Sequence, residues 1–323
     1  NYSSGKSKMY GKTDKPDFIH MEGYEDSSVN VLSTWDKEGK LTGLVINIAN
    51  PSQVSADSTE ISADFWDDVR KEFRSRVGEG VFILPQCSAA GDLSPKVMIN
   101  SKAEKRMESL MGKNRRQVIA MRIADAICPI IPLMQKDIEY NPVLMQKTEK
   151  IDLPVNKLTQ DDLDKTAKAG EAEKKKFDEL EEAAQKNPEL RKDKEWIKKS
   201  QVSYFRMNSA KRVLDKFEKE KDKKTIPVEV HTIRIGNVVF ASNPFELYVD
   251  YGLQIKARSK AVQTFLIQLA DAPRRYLPTE RAIPGRAYGS TPLQSDVGPA
   301  GGQMLVDKTV EMINSMWPSE EKK

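Results

Sequence analysis

The stretch that decides the fold runs from Leu41 to Pro95. It opens with LTGLVINIA (41–49), continues as ISADFWDDVRKEFRSRV (61–77) and VFILP (81–85), and closes in QCSAAGDLSP (86–95). LTGLVINIA is almost continuously apolar, which suits a strand buried on both faces. In the next run Phe65, Val69 and Phe73 recur every four residues, the period of an amphipathic helix. Gly78-Glu79-Gly80 ends that helix, as glycine does at helix C-termini. VFILP reads as a short buried strand, and a loop of small residues follows it. Strand, helix, strand and small-residue loop predict an α/β class: a mixed or parallel sheet layered with helices.

Working outward toward the start, VNVLSTW (29–35) and LTGLVINIA flank the short polar loop Asp36–Lys40, a hairpin signal. Residues 1–28 open as NYSSGKSKMYGKTDKPD and read as an irregular arm. The sequence begins at Asn1 with no Met and no signal-like apolar stretch, so a removed leader or missing upstream residues are the expectation.

Toward the other end, Lys102 to about Met134 has a helical period. Residues 161–200 differ from everything around them: 11 Lys/Arg and 12 Asp/Glu make 23 of 40 charged. Thr159-Gln160-Asp161-Asp162 is an N-cap signal, and Asn187-Pro188 restarts a second helix. The expected object is a solvated helical hairpin, 159–221, inserted between two parts of one α/β domain, 29–158 and 222–323. Its alternating charge signs favour solvation over a nucleic-acid arm. Pro227–Ser242 restores a β pattern with a turn at Gly236-Asn237. Pro244–Arg258 reads as a helix with Pro in its first turn, Ala261–Ala270 as a strand, and about Gln303–Trp317 as a closing helix before a charged tail.

Composition narrows the function. The chain has 323 residues, 38% apolar and 31% charged, with Lys+Arg 52 against Asp+Glu 48, a net +4. That balance excludes the concentrated basic face of a nucleic-acid binder. No uninterrupted apolar run approaches the length of a spanning helix, so no transmembrane segment is expected. Cys87 and Cys128 suit free buried thiols, and their pairing stays open. With only His20 and His231 available, no histidine-rich metal site can form from this chain alone. Oligomeric state is not readable.

Ligand sites in open α/β sheets gather at the carboxyl ends of strands. Three loops qualify: Asn50–Asp57, Gln86–Pro95 and Asp271–Gly302. In the second, Ala89, Ala90 and Gly91 let backbone N–H groups approach a substrate oxygen, and Ser94 supplies a hydroxyl beside Asp92. A tight structural turn would use the same residues. No GxSxG elbow is present, and neither histidine is near in sequence to serve as base. Glu246 sits behind an apolar strand, and Tyr276 and Tyr288 flank a Gly/Pro loop; each alone also suits ordinary helix-dipole or packing roles.

Taken in order, these segments resemble the catalytic domain of the neutral/alkaline non-lysosomal ceramidases, from about Val29 to Trp317 less the hairpin. Gly91-Asp92-Leu93-Ser94-Pro95 resembles the loop holding that family's nucleophilic serine. Asn243-Pro244-Phe245-Glu246 resembles the stretch carrying a zinc-binding glutamate. Tyr276-Leu277-Pro278-Thr279 resembles the stretch whose tyrosine ligates zinc, and Tyr288 matches a tyrosine bonded to the substrate amide oxygen. Ser62-Ala63-Asp64 resembles a helix-opening stretch. The resemblance implies a secreted or periplasmic zinc amidase that cuts the N-acyl bond of ceramide-like lipids, with Ser94, Asp92 and Tyr288 catalytic and Glu246 and Tyr276 on the metal. Asn50 stands where the family has a histidine ligand. A second histidine motif has no counterpart in this sequence, so zinc is doubtful here. A degenerate relative that binds without turnover, and an interaction protein using the hairpin, are the alternatives.

Overall fold

In the computed structural model, which describes residues 1–272 and 274–318, the chain divides into two compact units, 1–154 with 226–323, and 155–225. The five residues of the charged tail from 319 lie outside the described range.

The first unit begins with the hairpin β1 (Val29–Trp35) and β2 (Leu41–Ile48), antiparallel with Val29 opposite Ile48. The helix α1 (Phe65–Val77) crosses to β3 (Phe82–Cys87), which lies parallel to β2 with Gly43 opposite Phe82. The expected continuous burial of β2 holds: Leu44, Ile46 and Asn47 are fully inside, and Asn47 donates to the Leu266 carbonyl at 2.6 Å. Phe65, Val69 and Phe73 of α1 pack on this strand and on Ile123 and Ile127 of the helix α3 introduced below. Replacing Phe73 with Ala would cost about 3–5 kcal/mol. β3 departs from its reading as a buried strand: Phe82 and Leu84 are exposed, because only one face of this outer strand meets the core.

The start of α1 is set by Asp64, at φ 52°. Its carboxylate accepts from the N–H groups of Val54, Ser55 and Phe65 at 3.2, 2.7 and 2.9 Å, so one side chain caps the helix and shapes the preceding loop. Gly78, at φ 110°, closes the other end.

The helical stretch expected from Lys102 to Met134 is broken. It forms α2 (Ser101–Met111), α3 (Arg115–Ile127) and α4 (Ile131–Met134), the last two joined by a 3₁₀ turn. Gly112 ends α2 at φ 61°, and Asn114 starts α3 with a capping box to Gln117. Contrary to the sequence reading, the run Arg115–Asp137 is long and apolar enough to cross a membrane. Its first half packs inward, with Val118, Ile119, Ala120, Ile123, Ala124 and Ile127 in the core, while Ile130 and Leu133 beyond it are exposed.

A four-stranded sheet takes the order β4 (Leu144–Pro154), β5 (Thr225–Ile235), β6 (Val238–Ser242), β8 (Gln263–Ile267). β5 and β6 are antiparallel about Gly236 (φ 56°), and β6 and β8 are parallel. Between them come β7 (Glu246–Leu247) and α7 (Val249–Arg258); β9 (Tyr276–Leu277) and α8 (Pro299–Asn314) follow β8. Two sequence expectations shift. Glu246 lies on a short strand before α7, and α8 begins at Pro299, where Pro fits the first helical position. The sheets are mixed, as the α/β reading allows.

In the second unit, α5 (Gln160–Lys186) and α6 (Lys194–Glu220) run antiparallel, joined by a 3₁₀ turn from Pro188. Thr159 and Asp162 form the capping box of α5. Trp196 Nε1 donates to the Leu180 carbonyl at 3.1 Å, and Arg191 pairs with Glu181 at 2.7 Å. Gly170 permits close approach, since a Cβ there would sit 2.8 Å from the Ala210 methyl. Val155 N–H donates to the Lys224 carbonyl at 3.0 Å, which brings the two ends of this unit together.

Candidate active site

The loop after β3 is fixed by its backbone. Ser88 N–H donates to the Ile48 carbonyl at 2.9 Å, Ala90 N–H to Gln268 Oε1 at 3.2 Å, and Gly91 N–H to the Leu247 carbonyl at 2.8 Å. A Cβ on Gly91 would lie 2.3 Å from the Glu246 carbonyl oxygen, so only glycine allows the loop to seat on β7. Asp92 then caps α7: its Oδ1 accepts from Val249 N–H at 2.7 Å. Tyr248 at the N-cap supplies no side-chain bond of its own. Burial pushes the Asp92 carboxyl up to about 6, against the Val249 hydrogen bond. Ser94 is half-buried, and its Oγ accepts from Lys96 N–H at 3.1 Å.

Glu246 and Tyr276 face each other across the β7/β9 pair, directly in register. The Tyr276 hydroxyl and the Glu246 carboxylate act on each other's protonation. Burial raises the Glu246 pKa and the Tyr276 hydroxyl lowers it, the burial effect being the larger. Burial, then the Glu246 charge, holds the Tyr276 hydroxyl firmly protonated. Tyr288 is exposed and sets its ring edge-on to Tyr276, centroids 5.8 Å apart. Gly289 fits beside both tyrosines at positions where a Cβ would be 2.8 Å from Tyr248 Oη and 3.0 Å from the Tyr276 ring.

Asp92, Ser94, Glu246 and Tyr276 all line one cavity of about 700 Å³. Asn50 and Tyr288, expected at the same site, are not among the residues lining it, although their neighbours Pro51 and Ala287 are. The Asn50 backbone instead meets the Cys87 thiol, whose pKa burial pushes up to about 11, so Cys87 is an inert free thiol. Neither histidine is among the residues lining the cavity. His231 lies on β5, hydrogen-bonded to Thr148 at 2.9 Å and beside Glu229 and Asp271; His20 is exposed.

The rest of the cavity was not legible in the sequence. Half of its lining comes from the arm before β1, including Tyr10, Met21 and Tyr24. The arm is tied by Ser7 N–H to the Gly285 carbonyl at 2.8 Å and by Thr13 Oγ1 to the Met98 carbonyl at 2.5 Å. Tyr10 Oη also reaches Gln53 at 3.3 Å, and Lys96 lies over the Tyr10 ring. Tyr248 is a further lining residue that no motif singled out.

Of the residues that the resemblance assigns to zinc, Glu246 and Tyr276 stand together as two oxygen donors, and no imidazole lines the cavity with them, whereas zinc sites are usually closed by nitrogen or sulfur donors. Among the described residues no group of three or more His, Cys, Asp and Glu side chains is placed to hold a metal ion.

No family model and no curated protein sequence matches this chain. Solved structures do. The neutral ceramidase from Pseudomonas aeruginosa superposes with a TM-score of 0.54 at 17% identity, over 96% of this chain and 50% of that one. A structure described as ceramidase complexed with C2 gives 0.55 at 13% identity, over 96% and 51%. The fold is therefore ceramidase-like, and this chain spans about half the length of those proteins.

Proposed function

We propose that the chain is a ceramidase-like hydrolase of the N-acyl amide bond of a lipid-like substrate. The observation that carries the reading is the convergence of Asp92, Ser94, Glu246 and Tyr276 on one cavity, in a fold resembling that of neutral ceramidases. The cavity is large enough for a small amphipathic ligand, and its apolar share, from Met9, Met21, Leu93 and Ile99, suits an acyl chain.

The chemistry runs through the chain's own side chains. Ser94 Oγ attacks the amide carbonyl, and its proton passes to the Glu246 carboxylate, whose raised pKa makes it a better base than an exposed glutamate. Glu246 returns the proton to the leaving amine. Once Glu246 has taken the proton it no longer accepts from Tyr276, whose hydroxyl, protonated throughout, turns toward the developing oxyanion, and Tyr288, edge-on to the Tyr276 ring, is assigned to the amide oxygen. Water then releases the acyl group from Ser94. Export from the cytoplasm, to the periplasm or beyond, accords with an extracellular lipid substrate.

The test is release of free fatty acid from an N-acylsphingosine, followed with purified protein. Wild-type turnover lost in Ser94→Ala and Glu246→Gln supports hydrolysis. The incomplete donor set favours a second reading, binding without turnover. Saturable binding of the N-acyl lipid with no acyl release from wild-type protein selects it.

A further inference from the structure

We propose that α2 is a docking surface for anionic lipid. This goes beyond the chemistry of the cavity and holds for a chain that hydrolyses nothing. Helix α2 has no buried residue. Ala103, Met107, Leu110 and Met111 follow the i, i+4, i+7, i+8 spacing of a single apolar stripe, and Leu110 is 76% exposed. The protein leaves this stripe uncovered while holding the helix well formed, with Gly112 N–H returning to the Glu108 and Ser109 carbonyls.

The flanks of the stripe are unlike. On one side Glu104 and Glu108 turn to α3. Arg115 meets Glu104 at 2.8 Å and Glu108 at 3.7 Å, and Arg122 meets Glu104 at 3.1 Å. Those acids are neutralised inside the fold. On the other side stand Lys102 and Arg106, with Lys113 just past the helix end, and Lys105 lies on the face opposite the stripe; all four are charged, and Lys102, Lys105 and Arg106 are exposed. None of these four cations has an ion-pair partner among the described residues. A short amphipathic helix with an uncovered apolar stripe and a cationic flank matches the form that lies in a lipid interface, apolar face down and cations on anionic headgroups. A second copy of the chain is the poorer occupant, since it would bring the same cations against one another.

The chain enters α2 from the cavity wall: Met98 and Ile99 line the cavity, Ile99 is half exposed, and α2 starts two residues after Ile99.

The full chain is sedimented with vesicles of equimolar phosphatidylcholine and phosphatidylserine, and with phosphatidylcholine alone. We expect partition into the anionic vesicles and little into the neutral ones. Lys102→Gln/Lys105→Gln/Arg106→Gln should lower partition roughly a hundredfold, about fivefold per cation. Leu110→Ser/Met111→Ser should lower it at least about tenfold. Both variants should keep the wild-type melting temperature, because α2 buries nothing. Wild-type protein that stays in the supernatant overturns the proposal, as does equal binding to neutral vesicles or a triple variant that pellets like wild type. Gel filtration provides the last check: a dimer dissolved by Leu110→Ser/Met111→Ser makes the stripe a self-contact and also overturns it.

Discussion

Val249 N–H and Asp92 Oδ1 are 2.7 Å apart although 157 positions separate them in sequence. One hydrogen bond thus joins the Ser94 loop to the helix that follows Glu246. The carboxylate does for α7 what an N-cap side chain does within a single segment, so the helix start and the serine loop share one support.

Asp92→Asn should keep the acceptor for Val249 and remove a half-buried charge. The folded chain raises this carboxyl to about 6, so at intermediate pH it holds a proton that the unfolded chain has lost. The penalty is present above the folded value and vanishes as pH falls through the ordinary carboxylate range. The variant should gain about 1–2 kcal/mol near neutral pH and nothing in acid. Asp92→Ala should lie about 1 kcal/mol below the Asn variant at both pH values, because it also uncaps α7. Urea unfolding at both pH values reads these signs; a neutral-pH loss for the Asn variant would contradict them.

Gly91→Ala tests the seating of the loop on β7. The new methyl would collide with the Glu246 and Leu247 backbone, which cannot yield as a flexible side chain would. A loss of about 3 kcal/mol in equilibrium unfolding is expected. A variant as stable as wild type would mean the loop can seat elsewhere.

Lys256 ties the end of the arm to α7. Its ammonium donates to Asp26 at 2.7 Å, Ser28 at 2.9 Å and Asn30 at 2.7 Å. Burial alone would raise the Asp26 carboxyl, but Lys256 and Ser28 outweigh it and hold it below the usual range. The stability it contributes is present above the ordinary carboxylate pKa and is lost as pH falls through the lower folded value. Lys256→Met should cost about 3 kcal/mol near neutral pH, less in strong acid. Thermal melts across that range check it.

Tyr276→Phe removes the donor that lowers the Glu246 pKa, leaving burial unopposed. The Glu246 carboxyl should titrate at higher pH in the variant. If acyl release is measurable, its acid limb should move the same way. An unmoved limb would assign the base elsewhere.

Residues 159–221 should be dispensable. Replacing them with a short Gly/Ser linker should leave a remainder that still unfolds in one cooperative step, followed by far-ultraviolet circular dichroism. A broad, non-cooperative melt would mean the hairpin belongs to the core of the α/β domain.

The elements from β1 to β3 were legible because each one's periodicity is local: an apolar strand, a four-residue helical repeat, a glycine stop. The charged hairpin announced itself by composition and by Thr159, but its second helix starts at Lys194 under an Asp193 cap, not at Asn187-Pro188, where only a 3₁₀ turn forms. Other features depend on distant partners. Pro244 looked like a helix start, but α7 begins at Val249, where Asp92 caps it from another segment. The sequence reading looked for an uninterrupted apolar run and so passed over Arg115–Asp137, whose mean hydropathy suffices for a span although charges interrupt it. Ser94 and Glu246 could be picked from short motifs, whereas the arm that walls the cavity is polar, without period, and positioned by contacts to Met98 and Gly285.

That wall gives the protein two different stabilities. The core around Phe65 and Phe73 is closed by apolar packing, while half of the cavity lining hangs on the arm and a few hydrogen bonds. The arm can detach in a sub-global opening that leaves every strand in place. Amide hydrogens at Ser7 and Tyr2 should then exchange with solvent well before those of β2, and ligand affinity should vanish at denaturant concentrations where the fold still stands. A ligand bound against the arm would slow that exchange without moving the global midpoint.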